Sequence, residues 1–476
     1  MGVLSERSVP DISLVDYGFL LAETRASPRH VSVLHLFEPP PGAPDDFVAR
    51  LLEGDRTLQP VAPFCWKLGA SAVGLPRWEV DGDFDIDHHL VHTALPGPGS
   101  EEQLLEQIAR IHEPLLDRNR PLWEIHLIEG LADGRFAAVM KLHHAYTDGV
   151  SFSRRLVASL AEHPEQLDVP PIWANDRGPA HREKASLSLG QRSVDAIRAV
   201  GRNALVLPQL TELIIKHGLR LLSGDGGDLP VPFSAPRTLY NKPLTYRRSV
   251  AICSLELARV RDLARQHSVS VNDVLLTLCD MAMRQYLDQR GEPLEQPLVA
   301  QMPMSLRRRG ERQGPANQIT IALLEMASNH TDPLNRLREV HQHARNVKYE
   351  YASLTPEATE AYSMLTQLAA QLGDVTGLSE KLHPLGNVVI SNVAGHQHAL
   401  YLRGARLLGS YPISTIAPNT AINITIYSHE GQLRFGLVAG RDAIPDLSAI
   451  AEGILTAMVE LEQASGQQAR PVSGPD

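Results

Sequence analysis

Residues His143-His144-Ala145-Tyr146-Thr147-Asp148-Gly149 gather two adjacent imidazoles, a carboxylate and a glycine within seven positions. The chemistry open to this set is proton transfer. An imidazole with an ordinary pKa near ~6.5 takes a proton from an alcohol at neutral pH, provided its second nitrogen is held in one tautomer. That is what an acyl-transfer site requires. The preceding run, Arg135 to His144, has the apolar, β-branched and aromatic content of a half-buried strand, and Asp133-Gly134 supplies the turn before it. The two histidines therefore close a strand, where neighbouring side chains point to opposite faces. They cannot chelate one metal ion side by side, so they have separate tasks.

Stepping outward, Pro121 to Ile128 alternates as a strand and pairs with the 135–144 run as an antiparallel hairpin. Ser100-Glu101-Glu102-Gln103 is a capping-box signal for a helix whose Leu104, Ile108, Ile111 and Leu115 recur at helical spacing. Beyond Gly149, the Val150, Phe152, Leu156, Val157 and Leu160 pattern marks another helix, with Asp148 where an N-cap belongs.

A chain of 476 residues exceeds the usual size of one hydrophobic core, which predicts two packed domains. Between about Glu165 and Ala185, Pro170, Pro171, Gly178 and Pro179 rule out a helix or a central strand and mark a linker. The division expected is 1–185, a helical linker over 186–235, and a second domain over 236–476. In that second domain, Ser270 caps a helix running through Val274, Leu275, Leu278, Met281 and Met283. Strand-like runs at 249–255, 297–304, 317–325, 386–393, 421–428 and 433–438 predict that the remainder is strand-rich. The fold class expected is α/β with mixed sheets.

A hydrophobic fraction of 43% and a charged fraction of 21% are those of an ordinary globular protein. No apolar run reaches the ~18 residues of a spanning helix, and the first twenty residues lack the layout of a signal peptide, so a cytoplasmic protein is expected. Cys65, Cys253 and Cys279 are odd in number and widely spaced, which argues against a disulfide framework or a zinc ribbon and predicts three buried thiols. A net charge of −10 disfavours nucleic acid as a partner.

Other motifs extend the pattern: Ser13-Leu14-Val15-Asp16 with Phe19-Leu20, Arg120-Pro121-Leu122-Trp123-Glu124, Val271-Asn272-Asp273-Val274, Pro303-Met304-Ser305-Leu306-Arg307, Ser391-Asn392-Val393 and Tyr411-Pro412-Ile413-Ser414. In that order, and with the histidine motif, the chain resembles the bacterial wax ester synthase/acyl-CoA:diacylglycerol acyltransferase family, within the wider chloramphenicol acetyltransferase-like and condensation-domain superfamily. The resemblance implies two chloramphenicol acetyltransferase-like domains with a substrate tunnel at their interface. It implies transfer of a fatty acyl group from acyl-CoA, a co-substrate, to a long-chain alcohol or a diacylglycerol, with His144 as general base and no cofactor or metal. Two departures touch the acceptor: Ala394-Gly395-His396 follows Ser391-Asn392-Val393, where the family has Pro-Gly-Pro, and Pro418-Asn419-Thr420 replaces a Gly-Gln-rich turn.

Each residue has a plain reading beside the functional one. His143, on the opposite strand face, is expected to pack and hydrogen-bond, holding the turn. Asp148 either caps the helix or pairs with a basic residue to shape the loop that presents His144. Gly149 gives small size where the chain enters the helix. Asn272, at a helix start, is a candidate donor to the oxyanion or the pantetheine arm, whereas capping alone explains Asp273. Arg307, Arg308, Arg309 and Arg312 are either a solvated loop or a site for CoA phosphates or anionic lipid headgroups. Trp123 reads as core. The apolar stretch 204–222 is either a buried linker helix or a contact with a membrane or lipid droplet. The rival functions are a condensation-type acyltransferase fed by a carrier protein and a non-catalytic lipid-binding protein of the same fold; the intact histidine motif disfavours the latter.

Overall fold

The computed structural model describes residues 9, 12, 14–69, 76–146, 149–176, 230–305 and 319–466. Asp148, residues 177–229 with the 204–222 segment, and Arg307, Arg308, Arg309 and Arg312 lie outside the described residues. The chain divides into two compact units, one comprising Met1–Arg198 with Ala394–Thr415 and the other Ala199–Val393 with Ile416–Asp476.

The first unit runs through α1 (Leu14–Ala22), β1 (His30–Glu38), α2 (Phe47–Asp55), β2 (Trp66–Gly69), β3 (Arg77–Val80), β4 (Leu90–Ala94), α3 (Glu101–His112), β5 (Trp123–Glu129), β6 (Phe136–His143) and α4 (Gly149–Ala158). The predicted hairpin is present, with β5 and β6 antiparallel and Ile125 opposite Met140. Helix α3 opens on the predicted box: Gln103 N–H donates to Ser100 Oγ, and Ser100 N–H to Gln103 Oε1. It buries Leu104, Ile108 and Ile111, whereas Leu115 lies past its end and is exposed.

The sheet of this unit is mixed, because β4 runs parallel to β5 while the β5–β6 and β6–β1 pairs are antiparallel. Its far side is built late in the chain. Strands β11 (Tyr401–Leu402) and β12 (Ala405–Ile413) complete the order β11-β12-β1-β6-β5-β4, with β12 antiparallel to β1 and Leu34 opposite Tyr411. The reason is visible in β1, which is buried along almost its whole length. A buried strand needs both rows of backbone groups paired, so it cannot be an edge. Phe136, Met140 and Leu142 join one core with Phe37, Trp123 and Leu407, and strand alternation puts Lys141 and His143 on the other face of β6.

The second unit contains β7 (Arg248–Glu256), α5 (Leu257–Gln266), α6 (Val271–Gln289), β8 (Val299–Ser305), β9 (Ile319–Glu325), α7 (Pro333–Ser353), α8 (Pro356–Thr376), β10 (Val388–Ala394), β13 (Ile422–His429), β14 (Gln432–Gly440) and α9 (Ser448–Ala464). Its sheet has the order β7-β14-β13-β10-β8-β9 and is also mixed, with β10 parallel to β8. Ile422, Ile424, Phe435 and Leu437 share a core with Leu275 and Leu278 of α6 and Ile454 and Leu461 of α9. The strand-rich expectation is corrected here by α7, α8 and α9. Asp332 and Thr355 cap the first two, each followed by proline at the first helical position, where the missing N–H costs nothing. Among the described residues no helix is long and apolar enough to cross a membrane.

Candidate active site

The site is built on the turn that follows β6. Tyr146 N–H donates to the His143 carbonyl (3.0 Å), and Ala145 N–H donates to His143 Nδ1 (3.1 Å), so the histidine closes its own turn through backbone and ring. The Tyr146 hydroxyl accepts from Leu122 N–H (2.8 Å) and donates to the Trp66 carbonyl. Burial pushes the Tyr146 phenol above its usual pKa, so it stays a donor. His143 N–H reaches the Leu122 carbonyl (3.0 Å), and neighbouring Trp123, fully buried, donates from Nε1 to Phe64 (2.8 Å). Trp123 is therefore core, as its sequence context predicts.

His143 is hydrogen-bonded through Nδ1 and faces a carboxylate through Nε2. Nδ1 accepts from Ala145, so the ring proton of the neutral imidazole sits on Nε2. Nε2 stands 3.3 Å from Glu23 Oε1, a contact looser than an ideal hydrogen bond, with both side chains 1% exposed. Glu23 follows α1 and is otherwise satisfied: Oε1 accepts from Arg29 N–H (3.1 Å), and Oε2 from Arg118 Nη2 (3.0 Å). Arg118 Nη2 also donates to the Leu20 carbonyl (2.6 Å). Burial alone would raise the Glu23 carboxyl, but the contacts with His143, Arg29 N–H and Arg118 outweigh it and hold its pKa down to about 2. A carboxylate this buried persists only because it is paired.

His144 is placed differently. It is partly exposed, its N–H donates to the Arg29 carbonyl (2.8 Å), and its ring stacks on Phe19 of α1 with centroids 4.3 Å apart and 23° between planes. The Arg29 backbone therefore links the two histidines, giving its N–H to the carboxylate beside His143 and its carbonyl to His144.

Behind His143 the same sheet face is polar and buried. His30 of β1 lies opposite His143 and Ser32 opposite Lys141. His30 Nε2 contacts the His112 carbonyl (2.7 Å), and Ser32 Oγ contacts His112 Nδ1 (2.8 Å). Burial, reinforced by the nearby charges of His112 and Lys141, pushes His30 well below its usual pKa, so it stays neutral. Lys141 Nζ donates to the Pro114 carbonyl (2.6 Å) and faces Glu124 Oε2 at 3.8 Å; burial lowers its pKa.

Of the residues singled out from sequence, His143 and His144 fall together here and Gly149 opens α4 as expected. Asn272, at the second position of α6, is partly exposed and belongs to the second unit. Asp273 has the capping role predicted for it, and its Oδ2 also faces His341 Nδ1 at 2.7 Å. The cysteines are all free, but only Cys253 and Cys279 are buried; Cys65 is half-buried at a turn, which corrects the expectation of three buried thiols. Burial pushes the Cys279 thiol up to about 12 and raises the other two as well, away from nucleophilic thiolate. Among the described residues no group of three or more His, Cys, Asp or Glu side chains is placed to hold a metal ion. Glu23, Arg118 and Tyr146 were not legible as site residues.

Comparison with known proteins adds to this geometry. The sequence pattern of the wax ester synthase/diacylglycerol acyltransferase catalytic domain matches residues 12–275, and that of the WS/DGAT C-terminal domain matches 316–462. A Mycobacterium tuberculosis protein named a probable diacylglycerol O-acyltransferase is 35% identical over 454 residues, 95% of this chain and 98% of its own. An Acinetobacter baylyi protein named O-acyltransferase WSD is 35% identical over 436 residues, covering 90% and 92%. The solved wax ester synthase/diacylglycerol acyltransferase of Marinobacter aquaeolei is similar in structure, with a TM-score of 0.74 and 32% identity over 96% of this chain and 100% of that one. The first condensation domain of the CDA synthetase shares the fold at 14% identity, with a TM-score of 0.57.

Proposed function

We propose, for a chain that belongs to the wax ester synthase/diacylglycerol acyltransferase family, that His144 is the general base of its acyl transfer. The protein is an O-acyltransferase that esterifies a long-chain alcohol or a diacylglycerol with a fatty acyl group. The observation that carries the assignment is the contrast within the pair. His143 is 1% exposed, with Nδ1 hydrogen-bonded to Ala145 N–H and Nε2 facing Glu23, whereas His144 reaches solvent with its backbone pinned by Arg29 and its ring laid against Phe19.

With acyl-CoA as donor, the hydroxyl of the acceptor loses its proton to the His144 imidazole as its oxygen forms a bond to the thioester carbon. The C–S bond then breaks, and the CoA thiolate leaves with the proton returned from the imidazolium. Phe19 fixes the plane of the imidazole, which keeps the reacting atoms oriented. Asn272 and the arginines Arg307, Arg308 and Arg309 belong to this reading as donors to the pantetheine arm and the CoA phosphates, on the chemistry of their side chains.

The test is thiol release from acyl-CoA with a panel of fatty alcohols and diacylglycerols, scored by lipid product, for the parent and His144→Ala. Product formation that survives in folded His144→Ala at a rate near the parent removes the assignment.

A further inference from the structure

We infer that Glu23 is a positioning residue for the reaction, acting through His143 to set the turn from which His144 works. The inference rests on the reading of His144 as the base. Its ground is a set of contacts from one carboxylate to the backbone that carries His144. Glu23 Oε1 faces His143 Nε2 at 3.3 Å; His143 Nδ1 receives Ala145 N–H at 3.1 Å; and Ala145 is the residue that follows His144. From the other side, Glu23 Oε1 takes the Arg29 N–H at 3.1 Å, and the Arg29 carbonyl takes the His144 N–H at 2.8 Å. The backbone on both sides of His144 is thus tied to one carboxylate.

The charge matters for a specific reason. A neutral imidazole carries one ring proton, and Nδ1 can accept from Ala145 only while that proton sits on Nε2. An anionic carboxylate beside Nε2 favours that tautomer and disfavours the alternative, which would set Nδ1–H against the Ala145 N–H. The pair is 1% exposed on each side, so water offers no substitute partner. Arg118, at 3.0 Å and 46% exposed on its side chain, reaches in from the surface to neutralise the carboxylate without competing for Nε2. A glutamine at this position keeps the size of the side chain and loses the preference, because its amide serves either tautomer. The turn is then free to shift, and displacement of a reacting group by ~1 Å costs up to roughly a hundredfold in rate.

The experiment compares Glu23→Gln, His143→Asn and the double variant in the full-length protein, with palmitoyl-CoA and hexadecanol as substrates. Asparagine at 143 keeps an acceptor for Ala145 N–H and cannot reach Glu23. Glu23→Gln is expected to lower kcat roughly tenfold to a hundredfold, with KM for both substrates within about twofold and secondary structure intact. In the His143→Asn background the same change is expected to alter kcat less than about twofold, since the route is already cut. A role in stability alone shifts the melting temperature without this coupling in kcat. Additive losses, or a folded Glu23→Gln enzyme with kcat within twofold of the parent, overturn the inference. Should Glu23→Gln not fold, Glu23→Asp keeps the charge and withdraws it from Nε2 by one methylene; an unchanged kcat there overturns it equally. His144→Ala, measured alongside, separates the two ideas: activity retained in it removes the general base, while coupling between Glu23 and His143 is judged on its own cycle.

Discussion

Phe19, in the last turns of α1, and Glu23, the first residue after that helix, each support a different member of the histidine pair. The Phe19 ring lies 4.3 Å from the His144 ring, and the Glu23 carboxylate lies 3.3 Å from His143 Nε2. The end of α1 and the residue that follows it therefore support both histidines, and a displacement of that segment moves both together.

His144→Ala is expected to abolish ester formation with the fold intact, because the lost ring is partly exposed and stacks on Phe19. The loss should reach ~10²–10⁴ in rate. His143→Ala is expected to retain more activity and to unfold at lower temperature, since it opens a cavity beside the buried Glu23 carboxylate and removes the acceptor of Ala145 N–H. Steady-state rates and thermal unfolding of the two variants check both statements, and a residual rate in His144→Ala within about tenfold of the parent would falsify the base assignment.

Tyr146→Phe removes the hydroxyl that accepts from Leu122 N–H and donates to the Trp66 carbonyl. The Leu122 N–H and the Trp66 carbonyl each lose a hydrogen bond, and such a loss at a buried group costs roughly 1–3 kcal/mol. Urea unfolding should register a loss of that order, along with reduced activity, because Tyr146 anchors the turn that carries His144.

Acid stability follows from Glu23. Its pKa is lowered from the usual 4.5 to about 2, so the stabilisation from its ionised form is complete above about 4.5 and is lost as the pH falls towards 2. Urea unfolding of the parent between pH 5 and 3 should therefore show stability declining with acid. In Glu23→Gln the decline over that window should be shallower; an identical slope in parent and variant contradicts the assignment.

Arg308→Gln with Arg309→Gln should raise the KM for acyl-CoA several-fold, with less effect on kcat and little on the KM for the alcohol. Four guanidinium groups within the six residues from Arg307 to Arg312 are concentrated positive charge in a chain of net charge −10. Guanidinium matches phosphate in shape and stays charged at any working pH. Added salt should mimic the substitution in the parent by screening. An unchanged KM in the double variant returns these residues to a solvated loop.

Local patterns carried the sequence reading, and non-local contacts escaped it. The β5–β6 hairpin, the Ser100 and Ser270 capping boxes and the placement of the histidines at a strand end are set by residues a few positions apart. Glu23 gave no signal, because nothing beside it in sequence reports its contact with His143. The β1–β12 pair was equally hidden, since it joins segments from opposite ends of the chain. Helices α7 and α8 are different: Asp332-Pro333 and Thr355-Pro356 are start signals present in the sequence, outweighed by the apolar runs around them.

The late strand β12 also bears on how the protein is made. At ~5–20 residues per second, a ribosome needs roughly 10–50 s to pass from the end of α4 to the end of β12. During that interval β1 has β6 on one side and an open hydrogen-bonding row on the other, the kind of edge that recruits foreign strands. The turn that carries the two histidines is thus translated long before its sheet can close. A gene fragment ending before residue 405 yields a first unit with that edge bare, and expression trials that divide the chain at its linker should meet aggregation in the N-terminal piece unless 394–415 is supplied with it.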